Sequence, residues 1–392
     1  MKNIISKKMS TIGLSGIRKM NEKALAMERA GQTVIHFEIG RPDFDTPEYI
    51  KKAAYESLER GEVFYTSNLG DMGLREQIAK KLHYQNNIPC KAENIMVSVG
   101  LSEAIFDALM AVLDPGDEIL VPDPVWMNYV NVPKVLGAVP VSYTLKEENG
   151  YQMDLEEIRE KITDKTKVLV LVTPNNPTGS MLSRETLEGL AKIAIEKDIV
   201  IFADEVYERL VYGDQEHVSI ASLPGMQERT VLVNGFSKAY AMTGWRLGYA
   251  CGPDWLMQQM TKIHQYAIMC APTTSQYAAV EALKNGDDDV AMMRDSYNER
   301  RRFVLHTLRA MGLPCFEAQG AFYVFPDIRE FGMSSDDFAT RLLQEEKVAI
   351  VPGTAFGDCG EGFLRISYAY SLDNLKAALS RLEKFVTRLR AQ

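Results

Sequence analysis

With 392 residues the chain is too long for one simple hydrophobic core, so about two domains with a cleft between them are expected. A net charge of −9 argues against a nucleic-acid-binding surface, and a composition 46% hydrophobic and 25% charged argues against disorder. The five cysteines, at positions 90, 251, 270, 315 and 359, are odd in number and include no CxxC pair, so reduced thiols are expected rather than a disulfide framework.

The first ten residues, MKNIISKKMS, are basic, but no apolar stretch follows them, so a secretory signal is not expected. No run approaches the ~18 apolar residues of a membrane span, which makes a soluble, cytoplasmic protein the expectation. A helix is predicted from Leu14 to Ala30, closed by Gly31, and a short strand over residues 33–39. That strand exits through Gly40-Arg-Pro-Asp-Phe-Asp-Thr-Pro, dense in turn formers, which puts Gly40 where a backbone can approach a ligand closely.

From about residue 48 helices alternate with short apolar runs: IMVSV (95–99), EILVP (118–122), KVLVLV (167–172), DIVIFAD (198–204), TVLVNGF (230–236) and LGYACG (247–252). Continuously apolar strands separated by helices predict a buried, largely parallel sheet in an α/β fold. After about residue 290 a polar helix carrying Arg294, Arg300, Arg301 and Arg302 leads to GAFYVFPDI (320–328), KVAIVPG (347–353) and FLRISYA (363–369), an α+β tail. The expected division is an N-terminal arm and part of the small domain over 1–46, a large domain over 47–290 and the small domain over 291–392.

Ligands of open α/β sheets bind beyond the carboxyl ends of the strands, so the residues following each apolar run are the candidates. Lys238 follows VLVNGF; desolvated and near a cation, its amine would be nucleophilic and suited to Schiff-base chemistry, although an isolated Ser-Lys pair reads as a surface lysine. Asp204 ends an apolar strand and would need a cationic partner, such as a pyridinium N–H, or would cap a following helix. Tyr207 is one helical turn further on, and Asn176, in an Asn-Pro-Thr-Gly turn, could reach the same ligand.

Gly100-Leu101-Ser102 joins a strand to a helix and offers free N–H groups to an anion; with Ser237 and Arg246 it suits a phosphate. Neither GxGxxG nor GxxxxGK[ST] occurs, so dinucleotide and P-loop sites are not expected. Trp126 could stack on an aromatic ring or serve packing alone, and Arg365, inside an apolar strand, requires either a ligand carboxylate or a structural ion pair. No metal site is assigned.

Taken together, IGRPDFDTP, YTSNLGDMGLREQIAKKL, VSVGLSEAI, DPGDEILVPDPVW, TPNNPTG, ADEVYERLVY, NGFSKAYAMTGWRLGYACGP, GAFYVF and FLRISYA resemble, in order and over nearly the whole length, class I/II aminotransferases of the aspartate aminotransferase superfamily. The likeness is to the bacterial and archaeal aspartate and aromatic branch. It implies fold type I, with a mostly parallel seven-stranded sheet flanked by helices and a smaller α+β domain, and pyridoxal 5′-phosphate as cofactor.

It also implies that Lys238 carries the cofactor and shuttles the proton, that Asp204 holds the ring nitrogen, and that Tyr207 and Asn176 hold the ring oxygen. Gly100, Leu101, Ser102, Ser237 and Arg246 would form the phosphate site, with Tyr65 reaching it from the second subunit of a homodimer. Trp126 would stack on the ring, and Gly40, Asn176 and Arg365 would take the substrate carboxylate.

One feature departs from strict aspartate enzymes: no arginine occurs between positions 246 and 294 to receive a side-chain carboxylate. Arg41 could substitute or could be a surface turn residue. The expected activity is transfer of an amino group from an aspartate, aromatic or broad donor to 2-oxoglutarate in ping-pong order. The rivals are a lyase of the same fold and a ligand-sensing domain, which would need some 60 residues of DNA-binding segment.

Overall fold

The computed structural model describes residues 4–392, so the first three residues of the basic N-terminal stretch lie outside the described part. In chain order the elements are α1 (Gly16–Arg29), β1 (Ile35–His36), α2 (Glu48–Glu59), α3 (Met72–Asn86), β2 (Ile95–Ser98), α4 (Gly100–Val112), β3 (Glu118–Asp123), α5 (Asn128–Leu136) and β4 (Val139–Thr144). There follow α6 (Leu155–Lys161), β5 (Thr166–Val172), α7 (Arg184–Glu196), β6 (Val200–Asp204), β7 (Thr230–Gly235), β8 (Gly248–Cys251), α8 (Asp254–Ala267), α9 (Thr273–Asn285) and α10 (Asp287–Ala310). The chain ends with β9 (Tyr323–Val324), α11 (Ser335–Glu346), β10 (Val348–Ala349), β11 (Val351–Pro352), β12 (Leu364–Ser367) and α12 (Leu372–Arg390). None of the described helices is long and apolar enough to cross a membrane.

The central sheet has seven strands in the order β2-β8-β7-β6-β5-β3-β4. Its pairings are parallel except those of β8, which runs antiparallel to both β2 and β7. Strand β5 explains why the run is apolar throughout: Leu169 and Leu171 pack with Leu187 and Leu190 of α7 on one face, while Val168 and Val170 pack with Ala104 and Ala108 of α4 on the other. From Val168 onward side chains alternate between two covered faces, so no position there is left for a polar residue. Helix α7 starts where Ser183 accepts from the Thr186 N–H at 3.0 Å, and its apolar positions 187, 190, 191 and 194 recur at helical spacing.

Six of the seven strands coincide with the apolar runs; the seventh, β4, does not. Its sequence, VPVSYT, sits at the sheet edge with Val139 47% exposed, so no continuous apolar run was required there. The strand expected over 33–39 reduces to β1, which pairs in parallel with β10, Ile35 opposite Val348. Strands β11, β12 and β9 form a small antiparallel sheet. Met20 and Ala24 of α1 pack in the same apolar cluster as Leu375 and Leu379 of α12.

Since Leu171 is fully buried between sheet and α7, Leu171→Ala is expected to lower stability by about 2–5 kcal/mol through lost transfer energy and the cavity left behind, read as a lower urea midpoint.

Candidate active site

The reversal of β8 shapes the site. Gly248, the first residue of β8, lies opposite Ser98 at the end of β2 and Gly235 at the end of β7. Arg246, Lys238 and Gly100, which flank those ends in sequence, are thereby drawn to one edge of the sheet. With the exits of β3, β5 and β6 they surround a cavity of about 720 Å³, a size suited to a cofactor and a small substrate.

The candidates Gly40, Leu101, Ser102, Trp126, Asn176, Asp204, Tyr207, Ser237, Lys238, Arg246 and Arg365 all line this cavity, as does Arg41. Gly100 stands directly behind it: its φ is +68°, and a Cβ there would lie 2.4 Å from the Arg246 guanidinium, so a side chain at 100 would displace the arginine. Gly40 is constrained differently, since a Cβ would fall 1.9 Å from the Tyr323 hydroxyl. Tyr65 is not brought in; it is 78% exposed and outside its own chain's cavity.

Lys238 is half-buried, and its Nζ donates to the Gly40 carbonyl at 2.8 Å. Desolvation, reinforced by the Arg365 and Arg246 cations and opposed by Asp204, brings its pKa down to about 8. Asp204 is buried at the end of β6; Oδ1 accepts from the Val206 N–H at 3.1 Å and Oδ2 from the Tyr129 hydroxyl. Burial pushes its carboxyl up to about 6, while the Tyr129 and Val206 hydrogen bonds and Lys238 pull the other way.

The segment after Asp204 forms turns rather than a helix, so Asp204 caps no helix and Tyr207 is not one helical turn away. Tyr207 still faces the cavity, its hydroxyl 2.8 Å from that of Tyr323. Burial raises the Tyr207 phenol well above its ordinary value.

Arg365 is 1% exposed yet has no carboxylate within 4 Å among the described residues, which removes the structural ion pair left open by the sequence. Its Nη1 donates to Asn176 Oδ1 at 3.2 Å and its Nη2 to the Glu38 carbonyl, both neutral acceptors, and Nε has no partner. The guanidinium lies 4.5 Å from the Tyr323 ring centroid.

Sequence reasoning missed three contributors. Tyr129 supports Asp204 from below, and its only sequence signal is its place three residues after Trp126, with which it makes an edge contact at 6.1 Å between centroids. Tyr323, quoted within GAFYVF, reads as a core aromatic until the fold turns its hydroxyl to Tyr207. Arg18 comes from α1 to the cavity rim, together with Ser15, Ile17 and Asn21 of the same segment and far in sequence from the strand-exit groups.

The charge inventory states what the cavity can receive. Arg18, Arg41, Lys238, Arg246 and Arg365 face one carboxylate, Asp204, and none of these five cations has an ion-pair partner within 4 Å among the described residues. A ligand with two or more anionic groups, an aromatic body against Trp126 and a basic ring nitrogen against Asp204 satisfies the set. Pyridoxal 5′-phosphate with an amino-acid carboxylate has those groups, so the residues present fit that cofactor.

In the cofactor-free protein, the Lys238 amine is expected to acylate along a titration curve centred near 8, and Arg365→Gln to move that midpoint upward by removing a neighbouring cation. Pulse labelling followed by peptide mass spectrometry measures it; a midpoint near the ordinary ~10.4 contradicts the desolvated amine.

The sequence model for aminotransferase class I and II matches residues 32–382. The aspartate aminotransferase of Pyrococcus abyssi is 44% identical over 383 residues, covering 97% of this chain and 97% of that protein. The aromatic-amino-acid aminotransferase 2 of Thermococcus litoralis is 41% identical over 383 residues, again 97% of each. Among solved structures, the aspartate aminotransferase from Thermus thermophilus with maleate superposes with a TM-score of 0.94 at 39% identity, covering 98% of this chain and 100% of that one. A sequence match over most of the chain and a matching fold, reached independently of the cavity's chemistry, place this protein in the aminotransferase class I and II family.

Proposed function

We propose that this aminotransferase uses pyridoxal 5′-phosphate and moves the amino group of an acidic or aromatic L-amino acid to 2-oxoglutarate in ping-pong order. The carrying observation is Lys238: an amine brought to about 8, set between a buried carboxylate and two arginines that lack anionic partners. Leu101, Ser102, Ser237 and Arg246, backed by Gly100, would hold the phosphate; Asp204 the ring nitrogen; Tyr207 and Asn176 the ring oxygen; and Trp126 the ring face. When bound, the cofactor supplies an aldehyde carbon and an electron-accepting ring.

The chain's own residues do the rest. A pKa of about 8 leaves both protonation states of Lys238 Nζ accessible near neutrality, so one amine can take the substrate α-proton and return it. Asp204 would hold a positive ring nitrogen, whose charge would in turn lower that carboxyl and keep it ionised. Tyr129 and the Val206 N–H fix both oxygens, so the carboxylate cannot swing away from the ring. Asn176 and the Glu38 carbonyl hold the two terminal nitrogens of Arg365, orienting its fork for the substrate carboxylate beside Gly40.

The substrate class rests on Arg18 and Arg41, rim cations with no ion-pair partner among the described residues, and on relatives named for aspartate and for aromatic amino acids. Either arginine can receive a side-chain carboxylate in place of the one absent after position 246. The same reading takes the functional unit as a homodimer, with Tyr65 of each chain reaching the other chain's phosphate site. Its support is an exposed apolar surface in which Val63 is 61%, Phe64 78% and Tyr266 88% exposed. It also divides the chain at 1–46, 47–290 and 291–392, and sets it in the cytoplasm, in keeping with five free cysteines.

The direct test is a donor panel with purified protein, reading oxo-acid formation from 2-oxoglutarate. Lys238→Ala is expected to lose at least about a hundredfold in turnover, the low end of general acid–base contributions; full retention would overturn the assignment. At least one of Arg18→Gln and Arg41→Gln is expected to cut kcat/KM for aspartate about fivefold, about 1 kcal/mol, while leaving phenylalanine near its wild-type value.

A further inference from the structure

Two buried clusters outside the cavity have the same composition, two carboxylates and one histidine, each set with its ligand atoms within 4.8 Å of one another. In the first, Glu205, Glu208 and His217, the fold provides its own cation: the buried Lys81 ammonium donates to Glu208. In the second, Glu103, Asp107 and His264, no lysine or arginine lies within 4 Å among the described residues. We infer that Glu103, Asp107 and His264 form a binding site for a first-row divalent metal ion.

Glu103 and Asp107 are four residues apart on α4 and share a face, while His264 comes from α8, which packs against it. His264 Nδ1 is 2.7 Å from Glu103 Oε1 and 3.8 Å from Asp107 Oδ2. Those spacings bracket the ~3.3–3.6 Å between neighbouring ligands that follows from bonds of about 2.0–2.2 Å at tetrahedral angles. Asp107 is 1% and His264 0% exposed, and Asp107 Oδ2 is directed at the imidazole without a hydrogen-bond partner among the described residues. An ionised Asp107 in that condition calls for a positive charge beside it.

A divalent ion held by two ionised carboxylates and a neutral imidazole would leave the cluster neutral and would give the unpartnered Asp107 Oδ2 a ligand. The mixed nitrogen and oxygen set suits zinc or manganese, since magnesium and calcium prefer oxygen alone. The position matters too: Glu103 Oε2 accepts from the Val99 N–H, so an ion on Glu103 braces the turn that presents Leu101 and Ser102 to the cavity.

The experiment is equilibrium dialysis of the EDTA-treated, cofactor-loaded enzyme against Zn²⁺ and, separately, Mn²⁺ at pH 8, above the value of about 7 to which burial and Glu103 push the Asp107 carboxyl. The expected result is one equivalent per chain for at least one of the two ions. Asp107→Asn, which keeps the side-chain shape, and His264→Gln, each checked for folding by circular dichroism, should weaken that uptake at least about tenfold, since even outer partners of metal ligands cost ~10- to 100-fold. Stoichiometric uptake of neither ion overturns the site, and so does uptake that is equal in the wild type and both variants, which would place the metal elsewhere in the chain.

Discussion

Uncompensated charge, held where water cannot fully answer it, is the constraint around which this molecule is arranged. Arg365 is buried with only neutral acceptors, Asp204 sits at the end of a covered strand, and the Lys238 amine lies between them with its pKa displaced. Each would be costly in an ordinary core. Together they describe a ligand that is anionic at two ends and basic in its ring, so the electrostatic strain of the free protein becomes the selectivity of the bound one.

The sheet makes that arrangement possible. Strands covered on both faces need no polar side chains along their length, which leaves the polar chemistry to their ends. Because β8 runs against its neighbours, Arg246 at its start meets Gly100 after β2 and Lys238 after β7. A fully parallel strand would deliver Arg246 to the opposite edge. One reversed strand therefore joins the anion-binding turn to the reactive amine.

Much of this was legible in the residues. Apolar runs marked six strands of the central sheet because burial on both faces leaves an unmistakable sequence trace, whereas the edge strand β4, partly exposed, left none. Eleven candidate residues do line one cavity, most of them at strand exits, since the rule that ligands bind beyond carboxyl ends is a consequence of topology. The helical spacing assumed between Asp204 and Tyr207 was wrong in its geometry, because that segment turns instead of coiling, although both side chains reach the cavity. Tyr129 and Arg18 escaped notice because a tyrosine in a helix and an arginine in an amphipathic arm look like packing and surface.

By itself the sequence determined the alternation of buried strands and helices, the turn chemistry at Gly40 and Gly100, and the identity of the charged groups at the strand ends, because these follow from hydrophobic period and local sterics over a few residues. Whether Arg365 is paired or free, whether Tyr129 supports Asp204, and that Lys81 fills one acid-histidine cluster and not the other were decided only by tertiary structure. These outcomes turn on distances between groups dozens to hundreds of residues apart, and the energy of a charge depends on what stands within a few ångströms of it.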